Sequence, residues 1–163
     1  MMRKAMITGS FDPVTRGHED IIRRACALFD EVRVTVFLNP EKPGMFTAEE
    51  RLSLLKRVCA KFPRVSVDFD SGMVVDYTRR EGIDLLVRAV RDERDLTYEM
   101  QMADYNRTHG GIETLFFAAS PALSGISSSE VRRRIASGES ADGLLPPEIC
   151  EEIAEIAKKR PLK

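Results

Sequence analysis

Glycine, hydroxyl and imidazole groups lie close together near the amino end of the chain, in the segment Gly9–His18. An apolar run over residues 4–7 precedes Gly9, and an amphipathic run with helical spacing follows His18. A strand that passes through a tight polar turn into a helix exposes unpaired N–H groups and a partial positive charge, which suit a phosphate. The segment therefore predicts a phosphate site, formed by Ser10 and the turn, with His18 in the first turn of the helix. Asp12, which precedes Pro13, is interpreted as turn chemistry rather than catalysis.

Further polar side chains follow the other predicted strands. Lys42 lies in a proline-containing loop, Arg88 and Arg91 follow the fourth predicted strand, and residues 120–129 follow the fifth. Since the carboxyl ends of parallel strands meet at one edge of a sheet, we expect these groups and Gly9–His18 to converge on one cleft.

Each of these residues also has an ordinary interpretation. Lys42 alone would be a solvated surface lysine, and Glu99, on the next helix, an ordinary surface carboxylate. Arg88 ends a predicted buried strand, where a charge needs an anionic partner, and the acidic residues around Arg91 offer internal ion pairs as the alternative. Ser127–Ser129 can cap a helix and also contact a phosphate.

The elements that position these residues alternate between strand and helix along the whole chain. This order predicts an α/β fold, a single doubly wound domain over residues 1–163 with a five-stranded parallel sheet. The predicted strands are 4–8, 32–37, 65–69, 84–87 and 113–118. The predicted helices are 17–29, one after the capping box Thr47–Glu50, 74–80, 96–106, one from the capping box Ser127–Glu130 to Gly138, and 147–159.

Composition narrows the class of protein. Among 163 residues, 25 Lys and Arg balance 26 Asp and Glu, so no global basic field argues for nucleic acid. Cys26, Cys59 and Cys150 show no paired spacing, which favours buried thiols in a reducing compartment over zinc or disulfides. No apolar run is long enough for a signal peptide or a membrane span, so we expect a cytoplasmic protein.

The predicted cleft combines helix N-termini, cations, hydroxyls and one histidine, without an activated nucleophile or a metal cage. That inventory is typical of an enzyme that transfers a phosphate-bearing group by positioning and charge stabilisation.

The segment Thr8–His18, which reads T-G-S-F-D-P-V-T-R-G-H, resembles the G-[TS]-F-D-P-x-T-x-G-H signature of bacterial phosphopantetheine adenylyltransferases. The likeness covers nearly the whole chain. It continues in Lys42, Met45–Arg51, Arg88-x-x-Arg91, Asp95–Gln101, Asn106-Arg107 and Ile126–Ser129. The resemblance implies a Rossmann-like nucleotidyltransferase fold. It also implies the reaction of ATP with 4′-phosphopantetheine to give 3′-dephospho-coenzyme A and pyrophosphate, with Mg²⁺ carried by ATP rather than by a protein metal site.

The resemblance also implies a role for each matched residue. His18, Lys42 and Arg91 would be catalytic, with His18 stabilising the pentacoordinate α-phosphate. Ser10, Lys42, Val74 and Arg88 would bind phosphopantetheine. The ATP site would comprise Ser10, Phe11, His18, Ala89, Val90, Arg91, Glu99, Leu123, Ser124, Gly125, Ile126, Ser127, Ser128 and Ser129. The family further implies a homohexamer, a dimer of trimers, with coenzyme A as a feedback ligand.

Two departures and two rivals qualify the resemblance. Ala89 stands where the family usually has glycine, and residues 123–125 lack the aromatic often found there. One rival is a relative that uses another acceptor, such as nicotinate mononucleotide or glycerol 3-phosphate. Such relatives usually carry histidine at the position of Thr15, which argues against them. The other rival is a non-catalytic nucleotide sensor, which we would expect to lack His18 or the arginine and serine clusters.

Overall fold

Five parallel strands form one sheet in the order β3-β2-β1-β4-β5, which confirms the predicted α/β class. The computed structural model describes residues 2–39, 41 and 44–159. The strands are β1 Lys4–Gly9, β2 Glu31–Phe37, β3 Val65–Asp70, β4 Leu85–Val90 and β5 Glu113–Ala118. The helices are α1 Arg16–Leu28, α2 Ala48–Cys59, α3 Val74–Glu81, α4 Glu93–Gly110, α5 Ser128–Ser137 and α6 Pro147–Lys159, with a short 3₁₀ turn over Pro121–Leu123.

Strand β1 lies at the centre of the sheet, where the order of the strands changes direction. It pairs on one side with β2, Gly9 opposite Val36, and on the other side with β4, Ile7 opposite Val87. In doubly wound sheets the crevice outside the carboxyl ends of the strands at such a point is the usual ligand site. The fold therefore places the turn after β1 where a ligand would bind.

Two hydrophobic clusters hold the helices against the sheet. The larger cluster contains buried side chains of α1, α2, α5 and α6, such as Ile22, Leu54, Val131 and Ile149. The smaller cluster contains Met6, Tyr77, Ile83, Leu86 and Ile112. None of the helices among the described residues is long and apolar enough to cross a membrane.

Strand β4 is longer than predicted, which corrects the position of Arg88. The strand ends at Val90, so Arg88 lies within it, opposite Phe116 of β5. The charge of Arg88 suggested a strand end, but the buried carboxylate of Glu99 compensates it and the ladder continues.

Helix α4, Glu93–Gly110, extends beyond the predicted 96–106 at both ends. The capping of two further helices also differs from the prediction. The capping box expected at Ser127–Glu130 is only half formed: Ser127 accepts the N–H of Glu130, while the Glu130 carboxylate pairs with Arg133 and Arg134. Conversely, α1 has a capping box that was not predicted, because its third residue is His18 rather than Glu or Gln.

Candidate functional site

A cleft of about 360 Å³ opens at the carboxyl ends of β1 and β4. Its walls come from the β1–α1 turn, the first turn of α1, the end of β4, the segment after β5 and the start of α5. The predicted residues that line it are Ser10, His18, Arg88, Ala89, Arg91, Glu99, Leu123, Ile126, Ser127, Ser128 and Ser129. Chain segments far apart in the sequence therefore meet here, as the strand order requires.

The hydrogen bonds of His18 determine which of its ring nitrogens carries the proton. The backbone N–H of Thr15 donates to Nδ1 over 3.0 Å, and the Thr15 hydroxyl lies 3.1 Å from the same atom. Because Nδ1 accepts, the proton of the neutral ring lies on Nε2. The capping contacts that begin α1 thus leave His18 with an N–H donor on a ring that lines the cleft.

His18 is neutral at physiological pH. Desolvation by burial, followed by the positive charges of Arg88 and Arg91, lowers the pKa of His18 to about 4. The ring also packs edge-on against Phe11, with 5.0 Å between ring centroids. Phe11 has a φ of 43°, in the left-handed region, and its side chain is buried beneath the turn. A buried aromatic ring in a strained turn thus packs against the imidazole.

Arg88 is held rigidly by its neighbours. Its Nε and Nη2 donate to the two carboxylate oxygens of Glu99 over 2.8 and 2.6 Å, and its Nη1 donates to the hydroxyl of Thr8 over 2.9 Å and to the Thr8 carbonyl. Only 7 % of Glu99 is exposed. A bidentate pair of this kind fixes the plane of the guanidinium, so Glu99 orients Arg88.

Arg91 is held by a more exposed pair. Its Nε and Nη2 donate to the two carboxylate oxygens of Asp95 over 2.7 and 3.1 Å, in an i,i+4 pair in which 40 % of the arginine side chain is exposed. The hydrogen bond from Arg91 is the largest cause that lowers the pKa of Asp95. Because this pair is more exposed than the Arg88–Glu99 pair, water screens it more, and an anion in the cleft can compete with Asp95 for Arg91.

The N-terminus of α5 brings hydroxyls and backbone donors to the same cleft. Ser127 caps the helix by accepting the N–H of Glu130 over 3.1 Å. Ser128 donates to the carbonyl of Pro13 over 2.8 Å, and Ser129 accepts from Arg132 over 3.1 Å. The first N–H groups of a helix have no intrahelical partner, and the helix dipole favours an anion there.

A smaller cavity of about 80 Å³ adjoins the cleft. Thr8, Arg88 and Glu99 border both, while Val74, Leu86 and Met102 give the smaller cavity an apolar wall. Arg88 therefore stands between a polar cleft and a narrow apolar extension of it.

Some predicted residues do not line the cleft. Phe11 is buried below it, and Val90, Ser124 and Gly125 are not among its lining residues. Lys42 lies outside the described residues.

The cleft also includes residues to which the sequence motifs assign no separate role, namely Thr15, Asp20, Asp95, Ser120 and Arg132. The position of Thr15, three residues before His18 at the start of a predicted helix, is a sequence signal for an N-cap. No sequence signal indicates Asp20, because it is an ordinary helix residue. Its partners are the distant Ser120 and the nearby Arg23.

The carboxylates at the cleft are already paired. Asp20 accepts from Ser120 and Arg23, Asp95 from Arg91, and Glu99 from Arg88. In the part of the chain that the structure describes, no group of three His, Cys, Asp or Glu side chains is placed to hold a metal ion.

Comparison with known proteins shows which family the chain is similar to. The model of the cytidylyltransferase-like family matches residues 6–134. A phosphopantetheine adenylyltransferase of Corynebacterium diphtheriae is 46% identical over 158 residues, covering 96% of this chain and 99% of the relative. The enzyme of the same name from Streptomyces coelicolor is 42% identical over 159 residues, covering 98% and 100%.

A solved structure from Vibrio parahaemolyticus, described as a candidate nicotinate-nucleotide adenylyltransferase, superposes with a TM-score of 0.68 over 94% of this chain and 99% of its own. At 14% identity this likeness supports the fold alone. The near full-length identity to the two relatives decides the narrower grouping: the chain belongs to the phosphopantetheine adenylyltransferase family, within the cytidylyltransferase-like family.

Proposed function

We propose that this protein transfers the adenylyl group of ATP to 4′-phosphopantetheine, giving 3′-dephospho-coenzyme A and pyrophosphate. The observation that carries the proposal is the neutral His18, whose Nδ1 accepts from Thr15 and whose ring lines a cleft between two helix N-termini. Such a site offers hydrogen bonds to a phosphoryl group in transfer without a covalent intermediate.

In the proposed step a phosphate oxygen of the acceptor attacks the α-phosphorus of ATP in line. The bond from that phosphorus to the bridging oxygen breaks, and its electron pair leaves with pyrophosphate. His18 donates its Nε2–H to a non-bridging α-phosphate oxygen as negative charge accumulates there. A donor fixed before the reaction needs no reorganisation during it.

The acceptor binds where the cleft meets the smaller cavity. We assign the acceptor phosphate to Ser10, Arg88 and Lys42, and the pantetheine arm to the apolar wall that includes Val74. Glu99 acts here through Arg88, since its two carboxylate oxygens are both engaged by that guanidinium.

ATP occupies the remainder of the cleft. Arg91 and the N-terminus of α5, with Ser128 and Ser129, are placed to bind its phosphates. The base lies toward the segment Leu123–Ile126, and Ala89 and Val90 contribute backbone at the end of β4.

Mg²⁺ fits this site as a companion of the nucleotide. Mg²⁺ keeps several waters and is bound through substrate phosphates in many nucleotide sites, and the cleft carboxylates are engaged by arginines or a hydroxyl. When bound, the ion would neutralise part of the triphosphate charge.

We further propose that the protein assembles as a homohexamer, a dimer of trimers, in the cytoplasm, and that coenzyme A competes at the acceptor site. Exposed apolar side chains on α4 and β5 support the assembly. The three free thiols support a reducing compartment. Coenzyme A contains the same pantetheine arm as the acceptor, which supports competition.

The decisive experiment measures pyrophosphate release with ATP, Mg²⁺ and one acceptor at a time. We expect turnover with 4′-phosphopantetheine and none with nicotinate mononucleotide or glycerol 3-phosphate. His18→Ala should lower kcat by about 10²-fold or more while the Kd for ATP stays nearly unchanged, because the lost hydrogen bond forms fully only in the transition state.

Three results would each contradict part of the proposal. Turnover with nicotinate mononucleotide alone would assign a different acceptor. Tight ATP binding without turnover of any acceptor would favour a sensor. Equal losses in kcat and ATP affinity for His18→Ala would make His18 a ground-state binding residue.

A further inference from the structure

The carboxylate of Asp12 is buried below the cleft and accepts hydrogen bonds from a distant segment. The backbone N–H groups of Met45 and Phe46 donate to its two oxygens over 3.0 and 2.8 Å. Only 5 % of the residue is exposed, and it is not among the residues that line the cleft. Asp12 thus joins the β1–α1 turn to the chain that leads into α2.

Arg51 tightens the same connection. Its Nε lies 3.3 Å from the Asp12 carboxylate and donates to the carbonyl of Phe46 over 2.8 Å, and its Nη1 donates to the carbonyl of Ser10 over 3.5 Å. Arg51 is itself 7 % exposed. A buried cation of this kind depends on its counter-charge.

Arg132 connects a third element to Asp12. Its Nη1 donates to the backbone carbonyl of Asp12 over 2.7 Å and lies 3.7 Å from the carboxylate. Its Nη2 donates to the hydroxyl of Ser129, at the N-terminus of α5, over 3.1 Å. Arg132 therefore links the turn that carries Ser10 to the helix end that carries Ser129.

Gly44 shows how closely these groups pack. A Cβ atom at this position would lie 1.6 Å from Nη2 of Arg51 and 2.6 Å from Oδ2 of Asp12. Any side chain here would displace the arginine from the carboxylate.

We propose that Asp12 is a positioning residue for the transfer reaction, holding three chain segments, the β1–α1 turn, residues 44–46 and the N-terminus of α5, in one fixed arrangement around the phosphate site. The proposal rests on the proposed function, because the groups so held are Ser10 and Ser129. Asp12 acts through these groups and does not touch the substrates.

Removal of the charge has a defined physical consequence. In Asp12→Asn one of the two acceptor oxygens becomes an NH₂ group facing a backbone N–H donor, and Arg51 loses its buried counter-charge. The β1–α1 turn and residues 44–46 then separate by a fraction of an ångström to about an ångström, and misplacement on that scale can cost about 10²-fold in rate.

The test compares three purified variants in the pyrophosphate assay: Asp12→Asn, Gly44→Ala and the control Asp84→Asn. Asp84 is also a carboxylate that accepts a backbone N–H, that of Lys4 over 2.7 Å, but it lies at the amino ends of β1 and β4. We expect Asp12→Asn to lower kcat by about 30- to 100-fold with less than about a threefold change in KM for ATP. Gly44→Ala, which disturbs the same contacts without altering Asp12, should change kcat in the same direction, and Asp84→Asn should match the wild type.

Circular dichroism and thermal unfolding establish how much of each variant is folded. Normal kcat in folded Asp12→Asn, a rise in KM equal to the fall in kcat, or activity that falls only with the folded fraction would overturn the proposal. Loss of the folded state in both Asp12→Asn and Gly44→Ala would assign the cluster to fold stability and would also overturn it. Inactive wild-type protein would instead contradict the proposed function, so the two failures are distinguishable.

Discussion

His18 shows how the helix that carries a residue can fix the protonation state of its side chain. The N–H of Thr15 occupies Nδ1, and Arg88 and Arg91 disfavour a charged ring. A protonated His18 would be a third, desolvated cation beside two guanidinium groups. The neutral ring, which still donates a hydrogen bond, is therefore favoured. The helix N-terminus, which also disfavours the imidazolium, acts in the same direction.

The protonation state of His18 predicts a pH dependence of stability. Its pKa is about 4 in the folded protein and about 6.5 in the unfolded chain, so between these values the unfolded chain binds the proton that the native state excludes. The free energy of unfolding of the wild type relative to His18→Ala should therefore be constant above about pH 7 and fall as the pH drops through 6.5 toward 4. The full difference is about 3 kcal/mol.

Urea denaturation of both proteins at several pH values measures this difference. Taking the difference in free energy between the two proteins cancels the pH dependence of the carboxylates that both contain. A difference that grows in favour of the wild type as the pH falls would mean that the native state holds a charged imidazolium, and the neutral-donor role would be wrong.

At the scale of the elements, the sequence predicts what depends on local pattern. The bounds of β5 and α6 and the Thr47–Glu50 capping box agree with the structure because alternation and capping are local signals. The end of β4 was missed because the partner of Arg88 lies 11 residues away, on the next helix. Likewise, the burial of Phe11 depends on a positive φ in the turn, which the residue type does not indicate.

The candidate site divides in the same way. Its outline follows from the position of each motif after a strand, which the alternating order gives. The pairing of side chains within the site does not follow from that order, because Arg88–Glu99 and Asp12–Arg51 are contacts between different elements. Sequence alone therefore indicates which residues meet, and the folded chain decides which bind a ligand and which bind each other.

The capping box of α1 predicts that two equivalent threonines differ in function. Thr15 and Thr47 are both N-caps that accept a backbone N–H, from His18 and Glu50 respectively. We expect Thr15→Ala and Thr47→Ala each to cost about 1 to 2 kcal/mol of stability. Only Thr15→Ala should lower kcat, because only its cap partner lines the cleft, and Thr15→Ser should restore most of it.

Thermal unfolding and the pyrophosphate assay on the three variants check this. Equal effects on kcat from Thr15→Ala and Thr47→Ala would show that helix stability alone matters. An unchanged kcat in Thr15→Ala would show that the backbone N–H suffices to orient the ring.

At the scale of the whole molecule, helix α4 buries polar residues and exposes apolar ones. The buried residues of this helix are Glu99 and Asn106, whereas Tyr98, Met100 and Tyr105 are exposed. The neighbouring strand β5 is an edge of the sheet and exposes Leu115 and Phe116. Apolar side chains exposed on a helix and on the neighbouring sheet edge favour association, since they lose contact with water when covered.

This surface predicts how the assembly responds to single charges. Met100 is 56 % exposed and Leu115 46 %, and neither lines a cavity of the site, so we expect Met100→Glu and Leu115→Glu to weaken the contact between copies without altering the cleft. Leu28, 67 % exposed on α1, gives the matched control Leu28→Glu. Light scattering after size exclusion should give the wild type and Leu28→Glu a mass of six 18.4 kDa chains, and the other two variants a smaller mass.

A wild-type mass of one chain would contradict the assembly. A hexamer that persists in both α4 and β5 variants would place the contact between copies on another face, because a charge buried without a partner at a packed interface opposes association by several kcal/mol.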